Sequence, residues 1–374
     1  MFSKIETQIV KRMEILTLNA ISTKANEILE GYNLSKECGN PQGILVRSFN
    51  MNEWDLPSST LAVARAGAGV NNIPHGDYAK RGVCVFNTPG ANANAVKELT
   101  IASLILASRN LFPAMTWAKA LTGDDVAKQV EKGKGQFVGT EILGKSLCII
   151  GYGAIGKKVA SSAHALGMDV VAYTRTIRDE YQKETPFVTF YTDMKEAVKN
   201  ADFITLHLPY LPATKNTINS DLISAMKKGV IIVNTARGEV ADLEAVKQGL
   251  ADGIIRSYVL DFPTDATLGV DGIVNTPHLG ASTEEAEENC AVMASNSLKE
   301  YLEKGNIINS VNMPDISHEP SKLHRYTVIS NEDVEFEGVY AVRNGIRYTI
   351  IDTNDSLDEK QFEKDGVIKV RKIF

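Results

Sequence analysis

Three segments carry the side chains with the clearest potential for chemistry. Asn234–Asp242 reads NTARGEVAD and contains Arg237, and Thr276–Thr283 reads TPHLGAST and contains His278. Between them Asp261–Asp265 reads DFPTD, and each segment follows an apolar run typical of a strand. A histidine moves protons near neutral pH, a carboxylate on its far nitrogen raises its pKa, and a guanidinium binds a carboxylate and polarises a carbonyl. The set suits the interconversion of a secondary alcohol and a ketone.

A single histidine is more often structural than catalytic. We favour a catalytic role for His278 because Arg237 and a nucleotide-binding motif accompany it. The structural interpretation holds for the remaining histidines, which are His75, His164, His207, His318 and His324. His207 also ends a predicted strand and is a candidate to line the cofactor cleft.

A glycine-rich turn predicts the nucleotide site. Ser146–Gly156 reads SLCIIGYGAIG, an apolar strand running into a GxGxxG turn and an alanine-rich helix. The first glycine permits the tight turn, the second lets a pyrophosphate approach the backbone, and the third lets helix and strand pack closely. Free N–H groups at the start of the helix would bind the phosphates. The candidate residues are Gly151, Gly153, Ala154, Ile155 and Gly156.

The position that usually separates NAD from NADP has no acid. In NAD sites a carboxylate at the end of the next strand binds the ribose 2′-hydroxyl. Here Asp169–Tyr173 is followed by Thr174 and Arg175, with Arg178 nearby. A hydroxyl and a guanidinium could instead receive a 2′-phosphate, and the alternative is that the arginines are solvated loop charges. We expect NAD as the cofactor and leave NADP open.

The elements that position these residues alternate between strand-like and helix-like segments, which indicates an α/β protein with mostly parallel sheets. The predicted strands are Glu14–Leu18, Gly43–Val46, Leu61–Arg65, Val83–Asn87, Ser146–Gly151, Asp169–Tyr173, Phe203–His207, Val230–Asn234, Ser257–Asp261 and Gly272–Asn275. The predicted helices are Val96–Leu106, Ile155–Ala165, Asp193–Lys199, Ser220–Met226, Leu243–Leu250 and Glu284–Glu303. The candidate catalytic residues then follow strands, at the edge of the sheet where α/β enzymes place their sites.

Composition and charge narrow the class of protein. The chain has 374 residues, too many for one ordinary core, and a net charge of −6. A mildly acidic chain argues against nucleic acid or an anionic membrane as partner, and an anionic substrate would need a local basic pocket. We find no membrane-length apolar run, no secretory signal in Met1–Arg12, which we interpret as an appendage, and no metal-ligand spacing. The four cysteines fit a reducing compartment, so we expect a cytoplasmic location.

Several long motifs together resemble the D-isomer-specific 2-hydroxyacid dehydrogenases. They are ILVRS (Ile44–Ser48), ARAGAGVNNI (Ala64–Ile73), NTPGANANAVKEL (Asn87–Leu99), GxGxxG, NTARGEVAD and PHLGAST. The resemblance covers roughly Ile15 to Pro314. It implies hydride transfer between nicotinamide and C2 of a small anionic 2-hydroxy or 2-oxo acid, and a homodimer formed through the nucleotide domain.

The resemblance also implies roles for individual residues. Arg237 binds the substrate carboxylate and carbonyl, and His278 is the general acid/base. Matching LDFPTDAT to the family pattern makes Asp265 the partner of His278, although this loop is one residue shorter, with Asp261 as the alternative. The implied cofactor residues beyond the glycine turn are Thr174, Arg175, His207, Thr235, Ala236, Asp261, Gly280 and Ala281.

The first part of the chain resembles the branch of the family that acts on 3-phosphoglycerate. Its implied substrate residues are Arg47, Ser48, Arg65, Gly67, Ala68 and Gly69. A phosphate calls for convergent guanidiniums, and the alternative is that both arginines are surface charges. Two other functions stay open. One is a glyoxylate/hydroxypyruvate reductase or another D-2-hydroxyacid dehydrogenase, with NADP as an alternative cofactor. The other is a protein of the same fold that senses NAD(H) without rapid turnover.

The resemblance implies two Rossmann-like domains with parallel sheets, the nucleotide domain being inserted into the substrate domain. We predict a substrate domain over 13–105 with 284–314, an NAD(P)-binding domain over 106–283, and a small α+β tail over 322–374. The tail resembles a shortened ACT module that lacks the first helix. Its predicted strands are Tyr326–Ile329, Gly338–Val342, Arg347–Ile351 and Gly366–Arg371, with a helical pattern near Ser356–Phe362.

Overall fold

The structure is a computed structural model that describes residues 13–374, so Met1–Arg12 lies outside the described residues. The chain forms two compact units. The first contains the residues up to Asn92 together with Glu284–Phe374, and the second contains Ala93–Thr283. The second unit is thus inserted into the first along the chain.

The helices and strands follow one another in α/β alternation until the tail. The first segment forms β1 (Glu14–Leu18), α1 (Lys24–Ile28), β2 (Asn33–Ser35), β3 (Gly43–Val46), β4 (Ala62–Arg65), α2 (His75–Lys80) and β5 (Cys84–Phe86). The inserted segment forms α3 (Ala93–Ser108), α4 (Leu111–Lys119), α5 (Val126–Gly133), β6 (Ser146–Ile150), α6 (Ala154–Ala165), β7 (Asp169–Tyr173), α7 (Asp179–Glu184), β8 (Thr189–Tyr191), α8 (Met194–Val198), β9 (Phe203–Leu206), α9 (Ser220–Ile223), β10 (Val230–Asn234), α10 (Leu243–Ala251), β11 (Ile255–Leu260) and β12 (Ile273–Asn275). The last segment forms α11 (Glu284–Lys304), β13 (His324–Asn331), β14 (Val339–Arg343), β15 (Ile346–Thr353) and β16 (Val367–Lys372).

The first unit contains a parallel sheet in the order β2-β1-β3-β4-β5. Its central strand β3 is buried along its whole length, as expected for a parallel strand covered on both faces. The long helix α11 packs on this sheet through Ala294 and Leu298. Acids in its first turn complement the positive end of the helix dipole.

The second unit contains a seven-stranded parallel sheet in the order β12-β11-β10-β9-β6-β7-β8. The chain builds outward from β6 in one direction through β7 and β8, and from β9 in the other through β10 to β12. The strand order therefore reverses between β6 and β9. Such a switch point opens a crevice at the carboxyl ends of the strands, where α/β proteins bind ligands.

The second unit begins earlier than the sequence suggested. We placed the boundary between residues 105 and 106, whereas the units divide between Asn92 and Ala93. The reason is α3, which is continuous from Ala93 to Ser108 and packs as one helix on the core of the second unit through Leu104 and Ala107. A boundary between residues 105 and 106 would divide this continuous helix, although its apolar face packs on a single core.

The tail forms an antiparallel sheet in the order β14-β15-β13-β16. Its strands agree with those expected from the sequence, and the helical pattern near Ser356–Phe362 becomes a short 3-10 helix at Glu359–Phe362. Among the described residues, a loop rather than a helix joins β13 to β14. The tail belongs to the first unit rather than forming a body of its own.

Hydrogen bonds from the tail cap the carboxyl end of α11. Arg325 donates to the carbonyl of Lys304 at 3.0 Å, and Arg371 donates to that of Leu302 at 3.2 Å. The Tyr348 hydroxyl donates to the carbonyl of Gly305 at 2.7 Å. The last carbonyls of a helix have no partner within the helix and carry its negative dipole end, so cationic donors stabilise them.

No single helix within residues 13–374 is long and apolar enough to cross a membrane. The pair α3 and α4, bent by 72° at their junction, passes that test of length and composition only when the two helices are taken together.

The buried ion pair of the tail predicts a pH-dependent stability. Arg325 binds both carboxylate oxygens of Asp352, at 2.7 and 2.9 Å, and this guanidinium lowers the pKa of Asp352 to about 2. An unfolded aspartate titrates near about 3.9. The stabilisation is therefore complete above that value and is lost as the pH falls towards 2. We expect Asp352→Asn to lower the free energy of unfolding at pH 7 by roughly 2 kcal/mol.

Urea unfolding at pH 7, 4 and 3 measures this difference. The gap between wild type and Asp352→Asn should narrow as the pH falls. Asp355→Asn, an exposed aspartate two residues past β15, is the matched control and should track the wild type. A gap that stays constant with pH would show that Asp352 does not act through its charge.

Candidate active site

The glycine turn after β6 has the shape that the sequence motif requires. Gly151 adopts φ +100°, and a Cβ there would lie 2.7 Å from the carbonyl oxygen of His207. A Cβ at Gly156 would overlap the carbonyl oxygen of Gly151, so this glycine permits the close packing of α6. Gly153 faces open space, and α6 begins immediately after it. Its first N–H groups have no partner within the helix and are available to an anion.

Buried polar atoms at the switch point fit a dinucleotide. His207 follows β9, and its backbone N–H donates to the carbonyl of Ile150 at the end of β6. Both ring nitrogens of His207 are buried, and neither has a hydrogen-bond partner among residues 13–374. Burial lowers the pKa of His207 to about 3, so the ring is neutral at pH 7. Buried polar groups are nearly always satisfied, and a bound ligand with amide or hydroxyl groups would satisfy this one.

The end of β7 presents a hydroxyl and a cation rather than a carboxylate. The Thr174 hydroxyl donates to the carbonyl of Thr176 at 3.2 Å. Arg175 is exposed, and Arg178 pairs with Glu180 at 3.4 Å. Arg178 is thus paired with Glu180 on the surface, and Arg175 is the exposed cation that directly follows Thr174.

Asn234 shapes the turn that presents Arg237. Its buried side-chain amide donates to the carbonyl of Arg237 at 2.9 Å and to the hydroxyl of Tyr258 at 2.8 Å, and its oxygen accepts from the N–H of Ala236. The Thr235 hydroxyl shares a hydrogen bond with Thr100. Burial lowers the pKa of Arg237, which nevertheless stays charged at neutral pH. A half-buried guanidinium held on a fixed turn is suited to a substrate carboxylate.

Asp261 holds the loop that carries His278. Its carboxylate is buried and accepts from the Thr276 hydroxyl at 2.6 Å, from the N–H of Leu279 at 2.8 Å and from the N–H of Gly280 at 2.8 Å. His278 lies between these donors with φ +57°, a left-handed conformation that costs free energy unless the surroundings impose it. The three hydrogen bonds hold the loop in this left-handed conformation. They thereby fix the backbone position from which the imidazole extends.

The structure separates the two aspartates that the sequence left as alternatives. Asp261 directs its carboxylate to the backbone and hydroxyl of the 276–280 loop. Asp265 lies exposed in a turn closed by Thr264 and Thr267, whose hydroxyl both donates and accepts across the turn at 2.9 Å. Asp265 is therefore the more accessible carboxylate, and its pairing with His278 stays a prediction.

An aromatic ring that we did not single out lies between the two catalytic candidates. The Phe262 ring has its centroid 4.7 Å from that of His278, and the guanidinium carbon of Arg237 lies 5.5 Å from the same centroid. Phe262 thus packs against both candidates and brings them into one cluster. The sequence offers one signal for Phe262, which is its position in LDFPTD directly after the strand. The expectation for that segment concerned only its acids.

The first unit gathers the predicted substrate residues around a single amide. Asn72 accepts from Arg65 Nε at 3.1 Å and donates to the carbonyl of Arg47 at 3.3 Å. The Arg65 guanidinium lies so close to Gly67 that a Cβ there would overlap it. Arg47 pairs with Glu287 of α11 at 2.7 Å. The sequence pointed to the arginines and the glycine loop but not to Asn72 or Glu287.

The remaining substrate candidates surround this cluster. Ser48 is exposed just past β3. The carbonyl of Ala68 accepts from the side chain of Asn87 at 2.6 Å, and the carbonyl of Gly67 accepts from the N–H of Thr88. Gly69 follows in the same loop, which these bonds tie to the segment after β5.

Comparisons with known proteins agree with this arrangement. Residues 101–280 match the NAD binding domain of the D-isomer specific 2-hydroxyacid dehydrogenases. The hydroxypyruvate reductase of Thermotoga maritima is 38% identical over 62% of this chain and 74% of that protein. The chain belongs to the D-isomer specific 2-hydroxyacid dehydrogenase family.

Other relatives carry a more specific description. The D-3-phosphoglycerate dehydrogenase of Methanocaldococcus jannaschii is 38% identical over 72% of this chain, which spans 51% of that protein. The crystal structure of the NAD⁺-bound 3-phosphoglycerate dehydrogenase of Entamoeba histolytica is similar over 80% of this chain and 99% of that one, with a TM-score of 0.66 and 26% identity.

The cofactor loop after β7 generates a testable prediction. A carboxylate at position 174 would accept from a ribose 2′-hydroxyl and repel a 2′-phosphate. We expect Thr174→Asp to raise the KM for NADPH at least about tenfold more than the KM for NADH, because two like charges would meet. Initial rates with each cofactor measure the ratio.

Arg178→Ala is the control for this experiment, because Arg178 is already paired with Glu180 and should leave the ratio unchanged. If NADPH is a cofactor, Arg175→Ala should raise the KM for NADPH and leave the KM for NADH unchanged. An unaltered cofactor ratio in Thr174→Asp would place the ribose elsewhere.

Proposed function

We propose that this chain oxidises 3-phosphoglycerate to 3-phosphohydroxypyruvate with NAD, as a D-3-phosphoglycerate dehydrogenase, which is the first step of serine synthesis. The observation that carries the proposal is that Arg47 and Arg65 stand at the ends of the neighbouring strands β3 and β4, where Asn72 joins the Arg65 guanidinium to the Arg47 backbone beside the glycine loop. Two guanidiniums at the ends of neighbouring strands suit a phosphate. The relatives described as phosphoglycerate dehydrogenases support the same substrate.

The proposed mechanism assigns roles to four side chains. Arg237 binds the substrate carboxylate and polarises the oxygen at C2. His278 takes the proton of the C2 hydroxyl in oxidation and returns it in reduction. Bound NAD supplies the hydride acceptor at the nicotinamide. Asp265 supports the protonated imidazole, and Asp261 keeps the His278 loop in place.

Hydroxypyruvate reduction is the second candidate function. The similarity to the Thermotoga maritima hydroxypyruvate reductase is as high as that to the phosphoglycerate dehydrogenase. The pairing of Arg47 with Glu287 also favours this candidate, because it reduces the positive charge offered to a phosphate.

Oxidation of NADH at 340 nm with each of the two 2-oxo acids tests the proposal. We expect phosphohydroxypyruvate to have the higher kcat/KM. A preference for hydroxypyruvate would favour the reductase, and tight NADH binding without turnover of either acid would indicate a sensor.

His278→Ala tests the catalytic assignment in the same assay. We expect kcat to fall by about a hundredfold or more, since general acid/base groups contribute roughly 10²–10⁴. NADH binding, followed by the quenching of protein fluorescence, should change little. His164→Ala is the control, because His164 stacks on Phe187 in the same unit. Full turnover by His278→Ala would remove the histidine from the mechanism.

We further propose a homodimer formed through the second unit. Support comes from apolar side chains left exposed there, Met115 at 64%, Val138 at 77% and Leu143 at 68%. Exposed apolar patches commonly mark protein interfaces. Val138→Asp should shift the protein towards monomers in sedimentation or light scattering, whereas Val339→Asp, in the exposed edge strand of the tail, should not. A mass unaffected by Val138→Asp would place the interface elsewhere.

The tail and the location complete the proposal. We propose that the tail is a reduced ACT-like module that serves packing, supported by its four antiparallel strands and by the three hydrogen bonds to the end of α11. A cytoplasmic location is supported by the four cysteines, all of them free thiols.

A further inference from the structure

A carboxylate is paired with one of the two arginines proposed to bind the substrate phosphate. Glu287 Oε1 lies 2.7 Å from Arg47 Nη2. The two side chains are 42% and 33% exposed, so water and a ligand can reach both. Arg47 follows β3, and Glu287 lies in the first turn of α11.

The neighbouring groups show that this pair belongs to the arginine cluster. Cys290 lies one turn further along α11 and is buried. Burial raises the pKa of the Cys290 thiol; the charges of Arg65 and Arg47 oppose that effect, whereas the charge of Glu287 adds to it. The geometry agrees with this grouping, because Arg47 directly follows β3, Arg65 ends the neighbouring strand β4 opposite Val46, and Glu287 is in contact with Arg47.

The charges explain what Glu287 does to an incoming ligand. The Glu287 carboxylate offsets the positive charge of Arg47, with which it is paired. A phosphate monoester carries nearly two negative charges at pH 7. Such a phosphate meets Arg47 with part of the attraction to its guanidinium offset and with a like charge in contact with that guanidinium. A ligand with a neutral hydroxymethyl group in the same place loses no such attraction.

An ion pair of this kind can also be displaced. Partly exposed pairs are weak because water screens them. A phosphate offers a guanidinium two parallel charge-assisted hydrogen bonds, which are stronger. Binding of the phosphate is thus an exchange of one anion for another on Arg47.

We propose that Glu287 is a specificity-determining residue that competes with the substrate phosphate for Arg47 and so weakens the preference for phosphorylated substrates. The inference rests on the proposed function, since it assumes that Arg47 binds the substrate. It predicts that removal of the charge of Glu287 makes the protein more selective for phosphohydroxypyruvate.

The test compares Glu287→Gln with wild type on two readouts. The first is the ratio of kcat/KM for phosphohydroxypyruvate to kcat/KM for hydroxypyruvate, which should rise about fivefold, mainly through KM. The second is inhibition of hydroxypyruvate turnover by inorganic phosphate, whose Ki should fall by a similar factor. Glu285→Gln is the matched control, because it removes another acid from the first turn of the same helix.

A double-mutant cycle decides whether Glu287 acts through Arg47. In an Arg47→Ala background, Glu287→Gln should change neither readout, since the competing cation is gone. An equal effect in both backgrounds would overturn the proposal, and so would a rise in phosphate Ki in Glu287→Gln alone, which would mean that Glu287 orients Arg47 instead.

The outcomes separate this inference from the proposed function. If wild type prefers hydroxypyruvate but phosphate inhibits Glu287→Gln more strongly, the proposed function fails and the role of Glu287 stands. If wild type prefers phosphohydroxypyruvate and Glu287→Gln matches Glu285→Gln on both readouts, the inference alone fails.

Discussion

The buried carboxylate of Asp261 is the interaction on which the chemistry of this protein depends. Asp261 directly follows β11 and accepts three hydrogen bonds from the loop after β12, so it ties neighbouring strand ends of the sheet together. A carboxylate that accepts several hydrogen bonds from one loop fixes the backbone of that loop. Gly280 is part of this arrangement, because a Cβ there would lie 3.1 Å from the carboxylate. The unusual backbone of His278 is the result of this constraint.

The seven-stranded sheet also carries the candidate cofactor site, which is built in a different way. At Gly151 and Gly156 the backbone of the turn approaches its neighbours more closely than a side chain would allow. His207, in contrast, has two buried ring nitrogens without a hydrogen-bond partner in the part of the chain that the structure describes. The site thus combines a rigid turn with polar groups that await partners, which is how preorganised sites reserve their hydrogen bonds for a ligand.

The sequence alone predicted much of this, because motifs and apolar strands are local patterns. The glycine turn, Arg237 and His278 could be found, as could the strands of all three sheets except the short edge strands β2 and β8. The start of the second unit at Ala93 could not, because it depends on which core α3 packs against. Nor could the roles of Asn72, Phe262 and Glu287, because each role depends on a side-chain contact that appears only in the folded structure. Phe262 was also hard to find because its segment was examined for acids and not for an aromatic ring.

The contacts between α11 and the tail have a consequence for how such a chain can change over evolution. Tyr301, Phe86 and Tyr348 form one aromatic cluster, with Arg371 stacked 4.5 Å from the ring centroid of Tyr301. Loss of residues 322–374 would leave Tyr301 and Phe86 facing water and the end of α11 uncapped. This tail therefore cannot be exchanged between proteins as an independent domain. Any recombination that replaces it must also replace α11 and β5, on which it packs.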